Sequence, residues 1–92
     1  MAVGDTLKGR RAQMTHQDDV LGFEAGDYGR SPDGQWWIRP PRGSIGNISK
    51  HTVTEHEDGT ITASPSILVT SYPDGTPHKW HGYLERGIWR EV

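Results

Sequence analysis

The sequence predicts a mostly β protein, a small antiparallel meander forming a sandwich or partly open barrel with little helix. Three observations carry that reading. Short runs of strand-forming residues recur along the chain, and each is bounded by Gly-containing turns. Ser31-Pro32-Asp33-Gly34 and Tyr72-Pro73-Asp74-Gly75 are tight-turn sequences, in which Pro presets φ and Asp and Gly suit the bend. Leu, Ile, Val and Phe together number only 16 of 92 residues, but four Trp and three Tyr add large apolar surfaces. Each aromatic buries on the order of 150–250 Å², so a small aromatic-weighted core is within reach.

Ninety-two residues make one domain. A chain of this size buries roughly 60–65% of the surface exposed when unfolded, so marginal stability is expected. The net charge of −2 argues against disorder and removes the strongly basic footprint of a nucleic-acid binder. Cysteine is absent, which excludes a disulfide framework and thiolate metal sites and fits a reducing cytoplasm. The start, Met1 to Arg11, lacks the apolar stretch of a signal peptide, and no window approaches the ~20 apolar residues of a membrane span.

In chain order, residues 1–17 read as a loose polar arm with a short strand around Thr6–Leu7, and residues 18–92 as the single β domain. Val20, Leu21 and Phe23 suggest a short strand. Gln35 to Arg39 is a strand ended by Pro40-Pro41, neither of which donates to a ladder. Gly43 to Lys50 is a connector in which Ser44 could cap one helical turn. His51 to Ala63 is a hairpin whose turn length the apolar pattern decides. A three-residue loop, Glu57-Asp58-Gly59, pairs Val53 with Ala63 and Glu55 with Ile61, gathering Val53, Ile61 and Ala63 on one face. Ile67-Leu68-Val69 then suggests a strand buried on both faces. The same logic applied to Glu85-Arg86-Gly87 pairs Leu84 with Ile88, Tyr83 with Trp89 and Trp80 with Val92. One face then carries Trp80, Leu84, Ile88 and Val92, and the other His81, Tyr83, Trp89 and Glu91.

From Gly43 to Val92 the chain resembles a small uncharacterised protein family common in actinobacterial phages, with relatives in bacteria. The matching residues are Gly46-Asn47-Ile48-Ser49-Lys50-His51, Thr54-Glu55-His56-Glu57-Asp58-Gly59-Thr60 and Ser64-Pro65-Ser66-Ile67-Leu68. The ending Trp80-His81-Gly82-Tyr83-Leu84-Glu85-Arg86-Gly87-Ile88-Trp89-Arg90-Glu91 is the most specific part. Members of that family are often labelled ammonia monooxygenase, a label the residues here do not support, since the chain shows no membrane span and no copper site. More distant bacterial relatives end in Cys-x-x-His with further cysteines upstream, which resembles a zinc site. His78 and His81 stand at the corresponding positions here, without the cysteines.

No constellation for catalysis stands out: there is no cysteine, no Gly-x-Ser-x-Gly elbow, and Glu55, Glu57 and Asp58 sit at a hairpin tip. No catalytic residue, metal or cofactor is therefore expected. Arg30 to Lys50 carries four basic residues against Asp33 alone, beside Trp36 and Trp37, a combination suited to charge and stacking contacts with nucleotides. Alternation sends Trp36 and Trp37 to opposite faces, so at least one should be buried. The second face of the C-terminal hairpin is either covered by another layer or exposed for a partner. The candidate binding residues are His81, Tyr83 and Trp89, with Arg39, Arg42 and Trp37 as neighbours. The expected function is a non-enzymatic phage accessory protein that binds a host component in the host cytoplasm, a defence system among the targets. The expected partner is a host or phage protein, without a membrane. A virion structural or decoration protein, which would form homo-oligomers, and a module that sequesters a nucleotide are the alternatives.

Overall fold

The computed structural model describes residues 6–92. Strands β1 (Thr6–Lys8), β2 (Arg10–Arg11), β3 (Asp27–Arg30), β4 (Trp36–Ile38), β5 (Gly46–Asn47), β6 (Thr52–Glu55), β7 (Ile61–Ser71), β8 (His78–Glu85) and β9 (Ile88–Glu91) alternate with turns, and one 3₁₀ helix covers Gln17–Gly22. They form a five-stranded sheet in the order β1-β9-β8-β7-β6 and a four-stranded sheet in the order β2-β3-β4-β5. All pairings are antiparallel except β2 with β3. Tyr28 and Ile38 of the smaller sheet and Ile61, Ala63, Ile67, Trp80, Leu84 and Trp89 of the larger one belong to one buried cluster. The protein is thus a mostly β sandwich, open rather than a closed barrel.

The short strand expected around Thr6–Leu7 is present as β1, but the segment from Thr6 to Arg11 is not a loose arm. β1 pairs with β9 (Leu7 opposite Trp89), and β2 pairs with β3 (Arg11 opposite Tyr28), so this short stretch joins both sheets. The first five residues of the expected arm lie outside the described residues. Between β1 and β2 the chain changes sheets at Gly9. A Cβ there would stand 2.7 Å from Trp89 Nε1, 2.8 Å from the Gly26 carbonyl oxygen and 2.9 Å from that of Gly87, so only glycine allows the approach.

The two hairpins are built differently. Around Asp58-Gly59 the expected register holds: Val53 faces Ala63 and Glu55 faces Ile61, with the His56 amide donating to the Thr60 carbonyl at 2.8 Å. Gly59 takes φ 87°, and the Asp58 carboxylate accepts from the Thr60 amide at 3.0 Å and hydroxyl at 2.6 Å. At the second hairpin the expected three-residue loop is replaced by the two-residue turn Arg86-Gly87, which pairs Leu84 with Trp89 and Tyr83 with Arg90. Both turn residues have positive φ, 47° at Arg86 and 75° at Gly87, the requirement of a type I′ turn. The one-residue slip exchanges the faces. Trp89 enters the core at 1% exposure beside Trp80 and Leu84, while Ile88 and Val92 stay 37% and 52% exposed.

Magnitudes decide between the registers. Placing arginine in the left-handed region costs about 1–2 kcal/mol. Burial of an indole instead of an isoleucine and a valine is reinforced by an edge-to-face contact with Trp80, centroids 5.3 Å apart at 82°, a geometry worth about 0.5–1.5 kcal/mol beyond area. Trp89 Nε1 also donates to the buried Gly26 carbonyl at 2.8 Å.

Three further expectations are corrected. Val20, Leu21 and Phe23 are not a strand; the 3₁₀ turn puts Val20 and Phe23, three apart, on one side, where alternation would separate them. The Asp19 carboxylate holds that turn by accepting from the amides of Thr15 (2.7 Å) and His16 (3.0 Å), and Leu21 points outward. The Ser44 segment forms no helical turn, because Gly46–Asn47 pairs with β4 instead. β7 is an interior strand buried on one face only: Ile67 is in the core, but Leu68 opposite His81 is 59% exposed, as no layer covers that side.

Equilibrium urea denaturation checks this account. Trp89→Ala is expected to cost about 3–5 kcal/mol, and Trp89→Phe, which keeps a buried ring but removes one of the two donors to the Gly26 carbonyl, about 0.5–1.5 kcal/mol. At the turn, Arg86→Asn is expected to stabilise by about 0.5–1 kcal/mol, since Asn tolerates the left-handed conformation. Gly87→Ala should destabilise, because its Cβ would lie 2.9 Å from the Tyr28 hydroxyl at a positive φ.

Candidate binding surfaces

The residues that the sequence nominates for binding do not form one surface. Trp89 is removed from the set by burial. Trp36 and Trp37 do face opposite ways: Trp36 packs against the inter-sheet core, and Trp37 against Met14, Val20 and Phe23 on the far side of the smaller sheet. Trp37 Nε1 donates to the Ser31 hydroxyl at 3.1 Å, so this ring is held as a packing element rather than offered as a stacking platform. The Arg11 guanidinium sits 5.2 Å above the Trp36 ring and is paired with Glu55.

His81 and Tyr83 remain on the uncovered face of the five-stranded sheet. Tyr83 is half-buried under the Arg90 guanidinium at 4.5 Å, and Arg90 bonds Glu85 at 3.1 Å. His81 Nε2 lies 2.9 Å from the Ser66 hydroxyl, while His51 Nε2 lies 3.1 Å from the Ser66 carbonyl oxygen. The Ser66–His81 pair has the spacing of a nucleophile and base, but it lies on an open face and no carboxylate hydrogen-bonds the imidazole among the described residues. His78 is held elsewhere, 3.1 Å from the Asp74 carboxylate. Among the described residues no three His, Asp or Glu side chains are grouped to hold a metal ion.

Arg39 and Arg42 do come together, with residues that sequence reasoning did not select. The loop after β4 and the turn between β7 and β8 enclose an open groove of ≈ 700 Å³, lined by Arg39, Arg42, Ser44, Tyr72, His78 and Lys79 among others. Three of these side chains are cationic at neutral pH, and no Asp or Glu is in the lining. The acids nearby are already engaged: Glu91 pairs with Arg42, and Asp74 with Thr76 and His78. One Arg39 N–H donates to the Phe23 carbonyl at 2.6 Å, which ties the loop base to the 3₁₀ segment. The Tyr72 ring stands at the groove, 64% exposed. Tyr72 and Lys79 lie 30 and 37 residues from Arg42 in the chain, and only the sandwich topology brings them together. The available signal was the turn Tyr72-Pro73-Asp74-Gly75, an aromatic displayed at a bend just before a lysine.

Asp74 organises that turn. Its carboxylate accepts from the Thr76 hydroxyl at 2.6 Å and amide at 3.1 Å, and these bonds, with His78 adding to them, hold it below the usual aspartate range. Asp58 is lowered by the same arrangement at Thr60, and Asp19 by the amides of His16 and Thr15.

No helix among the described residues is long and apolar enough to cross a membrane. No family model, curated protein or solved structure matches the chain.

The lowered carboxylates fix the sign of the acid response. Each binds its proton less readily when folded than when unfolded, so its stabilisation is complete above the unfolded value, near 3.9 for aspartate, and is lost as pH falls through the lower folded value. The melting temperature is therefore expected to hold from neutrality to about pH 5 and to fall below about pH 4. Asp74→Ala should lower the melting temperature at pH 7 and give a shallower fall in acid.

Proposed function

We propose that the chain is a non-enzymatic binding protein whose contact surface is the cationic groove between the loop after β4 and the β7–β8 turn. One observation carries this reading. In a chain of net charge −2, Arg39, Arg42 and Lys79 converge from separate segments on one concavity with no acid in its lining. Of the three, only Arg42 has a carboxylate partner among the described residues, Glu91, so the groove keeps a positive excess that raises the energy of the free protein and steers an anionic ligand toward it. The absence of an assembled nucleophile, base and oxyanion donor among the described residues supports binding rather than turnover. The resemblance of Gly43–Val92 to phage proteins supports a target in the host cytoplasm, a defence component among them.

The exposed face around Tyr83 and His81 supports a second reading, a protein contact centred on that sheet, because Tyr and Arg are the residue types enriched at interface centres. Affinity capture from host lysate with matched variants separates the two. Arg42→Ala combined with Lys79→Ala is expected to abolish capture, and Tyr83→Ala to leave it unchanged, with all variants melting within a few degrees of the parent. The reverse pattern moves the contact to the open sheet face, and loss with neither variant sinks both. Light scattering of the purified chain tests the virion alternative, for which a stable higher oligomer is required.

A further inference from the structure

Building on the groove as the contact surface, we propose that it is a nucleotide site, with the Tyr72 ring as the platform for the base and Arg42 and Lys79 as the phosphate contacts. Size is the first argument. The groove, ≈ 700 Å³, falls inside the range of about 300–1,000 Å³ typical of small-molecule sites. A protein contact through the groove would have to spread over roughly 800 Å² on each side, well past its lining.

The chemistry of the lining is the second argument. Phosphate recognition draws on a planar guanidinium fork and a compact ammonium, and the residues lining the groove include one of each, Arg42 and Lys79. Ser44 adds a neutral hydroxyl to the lining, while the Ser71 hydroxyl is turned to the His78 carbonyl at 3.5 Å. Arg42 is paired with Glu91, but its side chain is 63% exposed, so the guanidinium keeps donors for a phosphate. An exposed ring beside two cations is the combination that binds a nucleotide, since stacking is sequence-tolerant and charge holds the phosphate. Tyr72 makes no part of the core, and at 64% exposure its ring has an open face.

Preorganisation is the third. The Asp74 carboxylate ties the amide and hydroxyl of Thr76 and the imidazole of His78 into one network, so the turn that carries Tyr72 and leads into Lys79 is shaped before any ligand arrives. On the opposite wall, Pro40 is fully buried and Arg39 is anchored to the Phe23 carbonyl, which fixes the base of the Arg42 loop.

Isothermal titration calorimetry on the full chain at physiological salt tests the proposal, with ADP, GDP, CDP and UDP as ligands and pyrophosphate as a control without a base. At least one nucleoside diphosphate is expected to bind with one-to-one stoichiometry and more tightly than pyrophosphate. Tyr72→Ala should weaken that nucleotide by about tenfold or more while leaving pyrophosphate unchanged. Arg42→Ala and Lys79→Ala should each weaken both ligands by about tenfold or more. Circular dichroism and melting curves matched to the parent establish that each variant is folded. Pyrophosphate binding as tightly as every nucleotide, indifferent to Tyr72→Ala, overturns the base platform and with it the proposal. So does the failure of all four nucleotides to bind at millimolar concentration. In that event the capture experiment tells which level failed. If capture still depends on Arg42 and Lys79, the groove takes an acidic macromolecule and only the nucleotide assignment falls. If capture ignores them, the groove is not the contact surface at all.

Discussion

The indole of Trp89, donating its Nε1–H to the Gly26 carbonyl, is the contact on which the two sheets depend. Trp89 belongs to the five-stranded sheet, and Gly26 lies immediately before β3 of the four-stranded one, so a single buried hydrogen bond of 2.8 Å ties the layers together. Around it the backbone is drawn in from three directions. The Gly9 amide donates to the Gly87 carbonyl at 2.7 Å, and the Arg10 amide donates to the same Gly26 carbonyl at 3.2 Å. The Gly26 amide in turn donates to the Arg39 carbonyl at 2.7 Å. A buried carbonyl needs a partner, and an unpartnered one costs about 1–3 kcal/mol. Here one oxygen serves both the crossing strand and the indole, so the sheet change at Gly9, the turn at Arg86-Gly87 and the position of Trp89 are set together.

The smaller sheet is stabilised on its far side by a different balance. Met14, Val20 and Phe23 cover it under the 3₁₀ helix, and Trp37 packs against them. The same sheet carries the most costly polar group of the described chain, the Asp27 carboxylate, 2% exposed. Burial of a carboxylate is tolerable only when it is paired and hydrogen-bonded. Arg10 meets it with two donors, at 2.8 and 3.2 Å, and the Glu24 amide adds a third at 2.9 Å. Arg10 comes from the strand just after the sheet change. The polar N-terminal segment, with little hydrophobicity to recommend it, is therefore held by Gly9's close approach and by its neighbour's charge.

This explains what could be read from the residues alone. The hairpin at Asp58-Gly59 was legible because its apolar residues agree on one register only, and because Asp58 has a threonine two positions on to bond. The second hairpin was not, since Ile88 and Val92 form as plausible an apolar face as Trp89 does. The deciding quantity is tertiary: a ring of Trp80 and a carbonyl of Gly26 waiting for an indole, neither visible in the local pattern. β3 was missed for a related reason. Asp27-Tyr28-Gly29-Arg30 has no apolar alternation, and it is a strand because β2 and β4 flank it and Arg10 neutralises Asp27. Of the candidate site, Arg39 and Arg42 were visible as local charge. Their partners across the groove were not, because the juxtaposition is created by the fold and not by proximity in the chain.

The division of labour within the fold follows from these constraints. Of the five aromatic residues placed on strands by both reading and structure, Trp80 and Trp89 are fully buried, Trp36 and Trp37 are half-buried against the two clusters, and Tyr83 lies half-buried under Arg90 on the open face. Strand aromatics are thus largely committed to holding layers together and leave little ring surface for recognition. Tyr72 differs because it sits on a turn, after β7 has left the sandwich. Arg42 likewise follows Pro40-Pro41, where the chain can no longer donate to a ladder and must leave the sheet. The cationic side chains and the exposed ring therefore collect where two sheets release their chains side by side. The rigidity that a binding site needs is supplied there by local devices: a buried proline and an anchored arginine on one wall, and an aspartate-bonded turn on the other. Side chains carried on such walls lose less freedom on binding than those on unsupported loops. That is the physical reason a domain with so small a core can still hold a defined cationic groove.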